Sequence, residues 1–389
     1  MKRRLALHCF CLWATALMAT LVASCSGADT SATKTTEGTP LTKHARYLTM
    51  KLRADSTLLV ELANPWNADR PFGRFVLVDS AKAGDPTVVP DGYRIVRVPV
   101  ASALVYSSVH TTPLEEIGGA DMVTGVADSR YFTSPYIAAR LAKGTIADVG
   151  NAMAPSLEKI VDLSPQIALI SPYENSGHGV LDNTGAIVFD MADYMEPAPL
   201  GRAEWLLLLG ALSGRLDEAT AVYTEICRNY EAIRAAADTV ARRPRVLMET
   251  PYSGVWYQPG NQSYMARLIH DAGGDVLFDS GNEKGSLQLD IATVFDKGAD
   301  ADVWLIKTDR ELTADDLTDI TPLAPRIKAF RTDNVWYANT SRTDLYDDLA
   351  FHPERVLADY IAIFHGDNTG GRPQTKHFKK ITRSRKTAP

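Results

Sequence analysis

Cysteine is scarce in this chain, which has four in 389 residues. Cys9 and Cys11 fall in an apolar N-terminal segment, and Cys25 lies directly after that segment. Cys227 therefore stays without a cysteine partner in the remainder of the chain, even if the protein is exported to an oxidising compartment. This scarcity excludes a fold that is held together by a disulfide framework.

The chain also lacks the common catalytic motifs, with no G-x-S-x-G, Walker loop, H-E-x-x-H or C-x-x-C. Ser156 and Lys159 match S-x-x-K, but Pro155 precedes them and the pattern is better explained by Ser156 as a helix N-cap. No two histidines are spaced i, i+4, although His110 and His178 follow separate predicted strands and could meet in a cleft. We predict no catalytic residue, no metal site and no cofactor, and a net charge of -6 gives no reason to expect nucleic acid as a partner.

The N-terminus predicts export and lipidation. Basic residues at 2–4 precede an apolar run at 5–21, which is typical of a secretory signal. The segment LVAS at 21–24 leads into Cys25 as in a bacterial lipobox, so we expect residues 1–24 to be removed and Cys25 to be acylated. Ordinary cleavage near Ser24 is the alternative. Residues 25–43 are rich in Ser, Thr, Gly and Ala and are predicted to be a flexible tether.

The rest of the chain predicts an α/β protein with two Rossmann-like lobes joined by a single long helix, after an N-terminal β meander. Alternating apolar and polar residues at 47–53, 58–62 and 74–79 indicate the meander, which we place at 44–92. β-branched runs that alternate with helical patterns indicate a first lobe at 93–216 and a second at 244–368. The candidate strands of the lobes are 95–100, 103–106, 122–126, 167–170, 187–189, 246–249, 276–278, 303–306 and 335–338.

An uninterrupted helical pattern connects the two lobes. Apolar residues such as Val222, Ile226 and Tyr230 recur at three- and four-residue spacings, so we expect a helix at 217–243. At 1.5 Å per residue it would be about 39 Å long, enough to cross between the lobes, and a single rigid crossover allows little hinge motion. The basic residues 369–389 are predicted to be a disordered solvated tail, with contact to anionic lipids as the alternative.

Aromatic side chains follow several of the predicted strands. Since loops after parallel strands hold the ligand in two-lobed α/β proteins, we expect a site there for a flat or bulky organic molecule. Basic residues in comparable loops, including Lys307, could pair with carboxylate or catecholate groups. Packing within a lobe is the alternative for the rings, and solvation is the alternative for the charges. The predicted ligand-binding residues are Tyr131, Phe132, Tyr173, Tyr252, Trp256, Tyr257 and Arg342.

Several segments together resemble one protein family: SLEKIVDLSPQIALIS at 156–171, PLGRAEW at 199–205, YSGVWY at 252–257, DAGG at 271–274 and ADVW at 301–304. They are similar to the substrate-binding lipoproteins of ABC importers for iron complexes and cobalamin. The resemblance implies a non-enzymatic, monomeric periplasmic protein, lipid-anchored to the cell membrane or outer membrane, that delivers an iron chelate (siderophore or haem) to a permease. Cobalamin is the alternative ligand, and a chelatase-like metal-handling enzyme is the alternative of another class.

The resemblance further implies that an acidic residue on each lobe docks onto the permease dimer. Glu158 matches the first of these residues. Ala292 stands where the second lobe is expected to have its glutamate. The second contact is therefore either lost or made by Asp290 or Asp296.

Arg202 and Glu204 are close together in the PLGRAEW segment. They are either a functional pair or a buried or edge ion pair of structural importance. We favour the structural ion pair, with Trp205 packing where the chain leaves the first lobe.

Overall fold

The computed structural model describes residues 37–81, 88–238, 240–366 and 374–382. The predicted signal at 1–24, the predicted lipidation site Cys25 and the first part of the predicted tether lie outside these residues. Within the described residues, no helix combines the length and the apolar character that a membrane span requires.

The chain begins with a five-stranded sheet in the order β1-β2-β3-β4-β5. Neighbouring strands are antiparallel, except that β4 and β5 are parallel. The alternation of the sequence places Met50, Val60 and Phe75 on the face that joins the main core, as a meander requires. The strands are β1 (Thr39–Pro40), β2 (Leu48–Leu52), β3 (Leu58–Leu62), β4 (Gly73–Asp79) and β5 (Arg94–Val98).

The structure corrects two boundaries of this region. The sheet starts at β1, inside the predicted tether 25–43, because residues 39–40 pair with β2. The strand expected at 95–100 in the first lobe is β5, and it pairs with β4 of the N-terminal sheet. Apolar residues cover both faces of β5, with Val96 in the main core and Ile95 against a smaller cluster on the other side. Because both faces are apolar, the sequence of β5 does not indicate which of the two sheets the strand belongs to.

The first lobe is an entirely parallel sheet in the order β10-β9-β6-β7-β8. Its helices have side-chain N-caps where the sequence has serine: Ser134 Oγ accepts the Ile137 N–H, and Ser156 Oγ accepts the Lys159 N–H. The elements are β6 (Ala103–Val105), α1 (Thr111–Glu116), β7 (Val123–Val126), α2 (Pro135–Ala142), β8 (Ala147–Asp148), α3 (Leu157–Leu163), β9 (Ile167–Ile170) and β10 (Ile187–Asp190).

Three consecutive helices lead from the first lobe to the second: α4 (Pro199–Ala203), α5 (Leu206–Ser213) and α6 (Leu216–Ala237). The long helix predicted at 217–243 is α6, but it ends at Ala237 and is about 33 Å long. Of the predicted apolar stripe, Ile226 and Tyr230 are buried and Val222 is partly buried against the main core. Tyr223, which was not predicted, is buried as well.

The second lobe has the sheet order β13-β11-β15-β16-β17, in which every pair is parallel except β16 with β17. Strands β12 and β14 form a separate two-stranded antiparallel sheet. The strands are β11 (Arg245–Met248), β12 (Val255–Pro259), β13 (Asp275–Val276), β14 (Ser286–Asp290), β15 (Val303–Thr308), β16 (Val335–Asn339) and β17 (Phe378–Lys380). The helices are α7 (Tyr264–Asp271), α8 (Ile291–Gly298), α9 (Ala314–Ile320), α10 (Lys328–Arg331), α11 (Leu345–Phe351) and α12 (Pro353–His365). The predicted fold class, two α/β lobes joined by a long helix, is confirmed.

The prediction of a disordered tail at 369–389 is wrong for residues 374–382. Phe378 is buried in the main core, and β17 extends the second-lobe sheet. The His377 side chain is completely buried, with its ring nitrogens 2.8 Å from carboxylate oxygens of Asp348 and Asp359. The many basic residues of this segment led us to predict that it is exposed to solvent. His377 and Phe378 are nevertheless buried, the first between two carboxylates and the second in the main core.

One continuous hydrophobic core runs through the protein. It includes Met50 of the N-terminal sheet, Leu208 of α5, Ile226 of α6, Val246 of β11 and Leu357 of α12. Moving one lobe relative to the other would expose part of this apolar surface to water, which costs free energy. The packing therefore supports a limited hinge motion.

Candidate functional site

A cleft with a volume of about 670 Å³ lies between the two lobes. Its first-lobe side consists of residues 194–197, which follow β10. On the second lobe, Glu249 follows β11 and Lys307 lies near the end of β15. Parallel sheets bind ligands at the carboxyl ends of their strands, so the cleft is in the position that the fold favours for a ligand.

The N-terminal sheet supplies a third side of this cleft. Arg46, Tyr47, Pro65 and Trp66 all line it. None of them was predicted from the sequence, because they belong to segments that precede both lobes.

Two buried carboxylates hold the segment of residues 43–47 against the first lobe. Glu204 accepts the backbone N–H groups of residues 43–45 at 2.7 to 2.8 Å. Glu196 accepts those of Arg46 and Tyr47 at 2.8 Å. Burial raises the pKa of Glu196, although the two backbone N–H groups oppose that rise. Because these backbone groups donate to carboxylates, the burial of the acidic side chains is compensated.

The expected ion pair between Arg202 and Glu204 does not form. The Arg202 guanidinium instead lies 3.2 Å from a carboxylate oxygen of Asp193. Residues two apart on a helix do not face each other, which explains why the two side chains have different partners. Trp205 is completely buried, as expected, and its indole N–H donates to Glu196 at 3.1 Å.

On the second-lobe side, Glu249 and Lys307 form an ion pair within the cleft. The backbone N–H of Lys307 donates to the same carboxylate at 3.1 Å. Glu249 has a φ of +60°, and its carbonyl oxygen accepts the Trp304 indole N–H at 2.7 Å. The Lys307 charge, which the sequence offered for pairing with a ligand, is thus compensated by the protein itself.

Aromatic and sulfur-containing side chains make up much of the remaining lining. The Tyr264 hydroxyl donates to the Leu349 carbonyl at 2.5 Å, and the Tyr194 hydroxyl donates to the Pro172 carbonyl. Burial raises the pKa of Tyr47 and of Tyr194, so both phenols stay neutral at physiological pH. The lining aromatic and methionine residues are Tyr47, Trp66, Tyr194, Met195, Met248, Tyr257, Tyr264 and Met265.

Of the predicted ligand-binding residues, Tyr257 lines the cleft. Tyr131, Tyr173 and Tyr252 are exposed, with 59%, 55% and 75% of their area accessible, and they are not among the residues that line the cleft. Arg342 is also exposed and lies outside the cleft lining. The structure does not bring these four residues into the cleft with Tyr257.

Phe132 and Trp256 are buried, and their prediction as cleft residues is corrected. Strand β12 alternates, so Tyr257 points outward while Trp256 points into the second-lobe core. There the Trp256 ring lies 5.7 Å from the ring of Phe295, and its N–H donates to the Met248 carbonyl at 2.8 Å. Phe132 follows a tight turn and packs in the main core.

A family model for periplasmic binding proteins matches residues 104–340. The chain belongs to the periplasmic binding protein family. The resemblance drawn from the sequence is thereby confirmed. The match begins after the N-terminal sheet, so that sheet lies outside the shared family region.

Relatives of this periplasmic binding protein include two uncharacterized lipoproteins of Methanocaldococcus jannaschii. One is 24% identical over 424 aligned positions that cover 100% of this chain and 99% of the relative. The other is 27% identical, with 81% of each protein covered. The similarity to the first relative therefore includes the N-terminal sheet.

Solved structures show the same fold at low sequence identity. A periplasmic heme binding protein from Pseudomonas aeruginosa has a TM-score of 0.56 at 16% identity, covering 73% of this chain and 99% of that one. A periplasmic vitamin B12 binding protein from Vibrio cholerae has a TM-score of 0.52 at 14% identity, covering 68% and 98%. Both are matched almost completely, so this periplasmic binding protein has elements beyond the shared fold.

Glu158 lies on the surface of this periplasmic binding protein, in the first turn of α3. The cap at Ser156 is confirmed, which supports the structural explanation of S-x-x-K. Three apolar side chains within five residues of Glu158 in the sequence are unusually accessible: Met153 at 75%, Leu157 at 41% and Val161 at 51%. An exposed carboxylate among exposed apolar side chains is typical of a protein interface.

The corresponding helix of the second lobe is α8, on which both Asp290 and Asp296 are exposed. Asp290 is the N-cap, and its two oxygens accept the Thr293 N–H at 2.8 Å and the Thr293 hydroxyl at 2.6 Å. These hydrogen bonds lower the pKa of Asp290. Its carboxylate is therefore already engaged in the cap.

His110 and His178, which the sequence allowed to meet in the cleft, have different partners. His110 is buried with Nε2 3.0 Å from Asp193, and His178 Nε2 lies 3.1 Å from Asp190. Neither histidine lines the cleft. No group of three histidine, cysteine or acidic residues suited to a metal ion occurs in the ranges that the structure describes.

Proposed function

We propose that this protein is the substrate-binding lipoprotein of an ABC importer, which captures an iron chelate, a siderophore or haem, and delivers it to the permease. The observation that supports this proposal most directly is the cleft between the lobes, with its aromatic and methionine lining. Its volume, about 670 Å³, is in the range of small-molecule sites, about 300–1,000 Å³. Flat aromatic faces with neutral polar edges suit the organic shell of a chelate.

Cobalamin is the second candidate, because the same cleft offers area for a bulky ring system and the fold is shared with a vitamin B12 binding protein. A chelatase-like enzyme has less support. It would need an available acid or base in the cleft, whereas Glu196 and Glu249 accept hydrogen bonds from the protein's own groups.

Ligand binding can be measured by quenching of tryptophan fluorescence, since Trp66 lines the cleft. Purified unlipidated protein would be titrated with haemin, a ferric tris-catecholate siderophore and cyanocobalamin. We expect sub-micromolar affinity, which corresponds to at least about 8 kcal/mol of binding free energy, for one of these probes. Failure of all three to bind would overturn the proposal.

We further propose that the surface formed by Met153, Leu157, Glu158 and Val161 docks onto the permease. Electrostatic contacts at such a surface orient the partners, and the apolar neighbours add buried area. In an uptake assay, Glu158→Arg should abolish transport and leave ligand binding unchanged, while Glu225→Arg on α6 is the matched control. Normal uptake by the Glu158→Arg variant would show that this residue is merely a surface charge.

For the second lobe we propose Asp296 as the docking carboxylate, because Asp290 is occupied by its cap hydrogen bonds with Thr293. Asp296→Arg should then reduce uptake strongly. Asp290→Asn keeps a cap acceptor but removes the charge, and it should have little effect. The opposite result would assign the contact to Asp290.

Attachment to the membrane through Cys25 is supported by the lipoprotein relatives. Acylation with more than one chain would anchor the protein stably. Cys25→Ala should move the protein from the membrane fraction to the soluble fraction of the cell. Continued membrane association of that variant would contradict the anchor.

A further inference from the structure

The N-terminal sheet lies outside the family region at 104–340, yet it lines the cleft with Arg46, Tyr47, Pro65 and Trp66. The chemistry of these side chains is that of a ligand site.

The backbone that carries Arg46 and Tyr47 is fixed in place from two directions. The carboxylates of Glu196 and Glu204 accept five consecutive backbone N–H groups, those of residues 43–47. On the α4 side, Gly201 leaves room for this segment, since a Cβ at Gly201 would lie 2.6 Å from the His44 carbonyl oxygen. The position of the segment is therefore preorganised, which reduces the entropy lost when a ligand binds.

Trp66 is held in a similar way. Its backbone N–H donates to Asn64 Oδ1 at 3.0 Å, and its ring meets Phe72 edge to face at 6.3 Å between centroids. The indole is only partly buried and lines the cleft. It can therefore pack against a ligand without a change in the fold around it.

Three cations line the cleft: Arg46, Lys284 and Lys307. The cation of Lys307 is paired with Glu249. The Arg46 guanidinium lies 5.7 Å from the centroid of the Tyr47 ring, which orients it. Within the ranges that the structure describes, no carboxylate lies within ion-pair distance of Arg46, so its charge is available to an anionic group.

We propose that the N-terminal sheet is a part of the ligand site that determines specificity. Arg46 binds an anionic group of the ligand, a carboxylate or a catecholate oxygen, while Tyr47 and Trp66 contact its organic surface. The protein consequently selects anionic chelates over cobalamin. This inference rests on the proposed function as a chelate-binding protein.

The test compares the unlipidated wild-type protein with Arg46→Ala, Arg46→Lys and Trp66→Ala, using haemin, a ferric tris-catecholate siderophore and cyanocobalamin as probes. Arg74→Ala is the matched control, since Arg74 is exposed on the same sheet but does not line the cleft. Arg46→Ala should weaken binding of the preferred anionic probe roughly 10- to 100-fold, the loss typical of a hydrogen bond to a charged group. Arg46→Lys should recover part of that affinity, and Trp66→Ala should weaken it independently of salt.

The outcomes separate this inference from the function on which it rests. If the wild type binds an anionic probe and both Arg46→Ala and Trp66→Ala bind it equally well, the role of the N-terminal sheet is overturned while the function stands. If the wild type binds only cyanocobalamin, the selection of anions is overturned. If no probe binds, both proposals are overturned. Urea unfolding curves verify the fold of each variant, and the exposed Arg46 position gives a result even if Trp66→Ala is unstable.

Discussion

Replacing His352 with glutamine should remove a pH-dependent part of the stability of this protein. His352 is the N-cap of helix α12 and is 7% exposed. Its Nε2 lies 2.7 Å from Glu116 of the first lobe, and its Nδ1 lies 3.0 Å from Glu354. Burial alone would lower the pKa of His352, but the hydrogen bonds with the two carboxylates outweigh that effect and raise it to about 9.

The size of the effect follows from the shift in pKa. An unfolded histidine has a pKa of 6.5, and one pKa unit corresponds to about 1.4 kcal/mol, so the interactions of the protonated ring contribute up to about 3 kcal/mol. The folded state binds the proton more tightly than the unfolded state. The contribution is therefore complete below about pH 6.5 and is lost as the pH rises through about 9.

The assay is urea unfolding of the wild type and of His352→Gln at about pH 6 and about pH 9.5, on either side of the transition. The difference in unfolding free energy between the two proteins should be larger at the lower pH by up to about 3 kcal/mol. His377, whose pKa is also raised by its carboxylate partners against the effect of burial, is present in both proteins and cancels in the comparison. A difference that is the same at both pH values would refute the reasoning.

Two further substitutions and one truncation test the packing. Trp256→Ala should cost about 3–5 kcal/mol in urea unfolding, because the ring is completely buried in the second-lobe core, and a loss below about 1 kcal/mol would contradict that position. Glu204→Ala leaves three backbone N–H groups without their acceptor, so the free energy of unfolding should fall by at least about 2 kcal/mol. The N-terminal sheet should also become sensitive to limited proteolysis. An unchanged digestion pattern would argue against the contact. Truncation of the chain after Gly366 removes His377, the partner of Asp348 and Asp359, and should lower the free energy of unfolding by about 3–5 kcal/mol. An unchanged thermal midpoint would exclude the buried network.

The strands that the sequence predicts well are those with a local apolar pattern. The boundaries of β3 and β9 match the predictions at 58–62 and 167–170, because every residue of β9 is buried and the neighbouring residues are polar. Strand β8 has two half-buried residues, and its pattern is too short to be distinguished from a loop. Strand β17 was missed because its core residue, Phe378, is surrounded by lysines that indicate solvent.

The cleft was only partly predictable for a related reason. The family resemblance and the strand ends located its second-lobe side, including Tyr257. Trp256 and Tyr257 were both predicted to line the cleft, but neighbouring residues of a strand point to opposite faces. The alternation alone does not show which face of β12 meets the core. Arg46 reaches the cleft because its backbone bonds to Glu196, 150 positions further along the chain, and no local pattern encodes such a contact.

Strand β17 has a consequence for how the protein forms in the cell. It follows every other strand of its sheet in the chain, so the ribosome makes it after the rest of that sheet. Until it arrives, β16 presents an edge of unpaired backbone groups, and such edges recruit other extended chains. The sheet of the second lobe is therefore complete only when β17 has paired with β16, so this lobe cannot finish folding before residues 378–380 have been made.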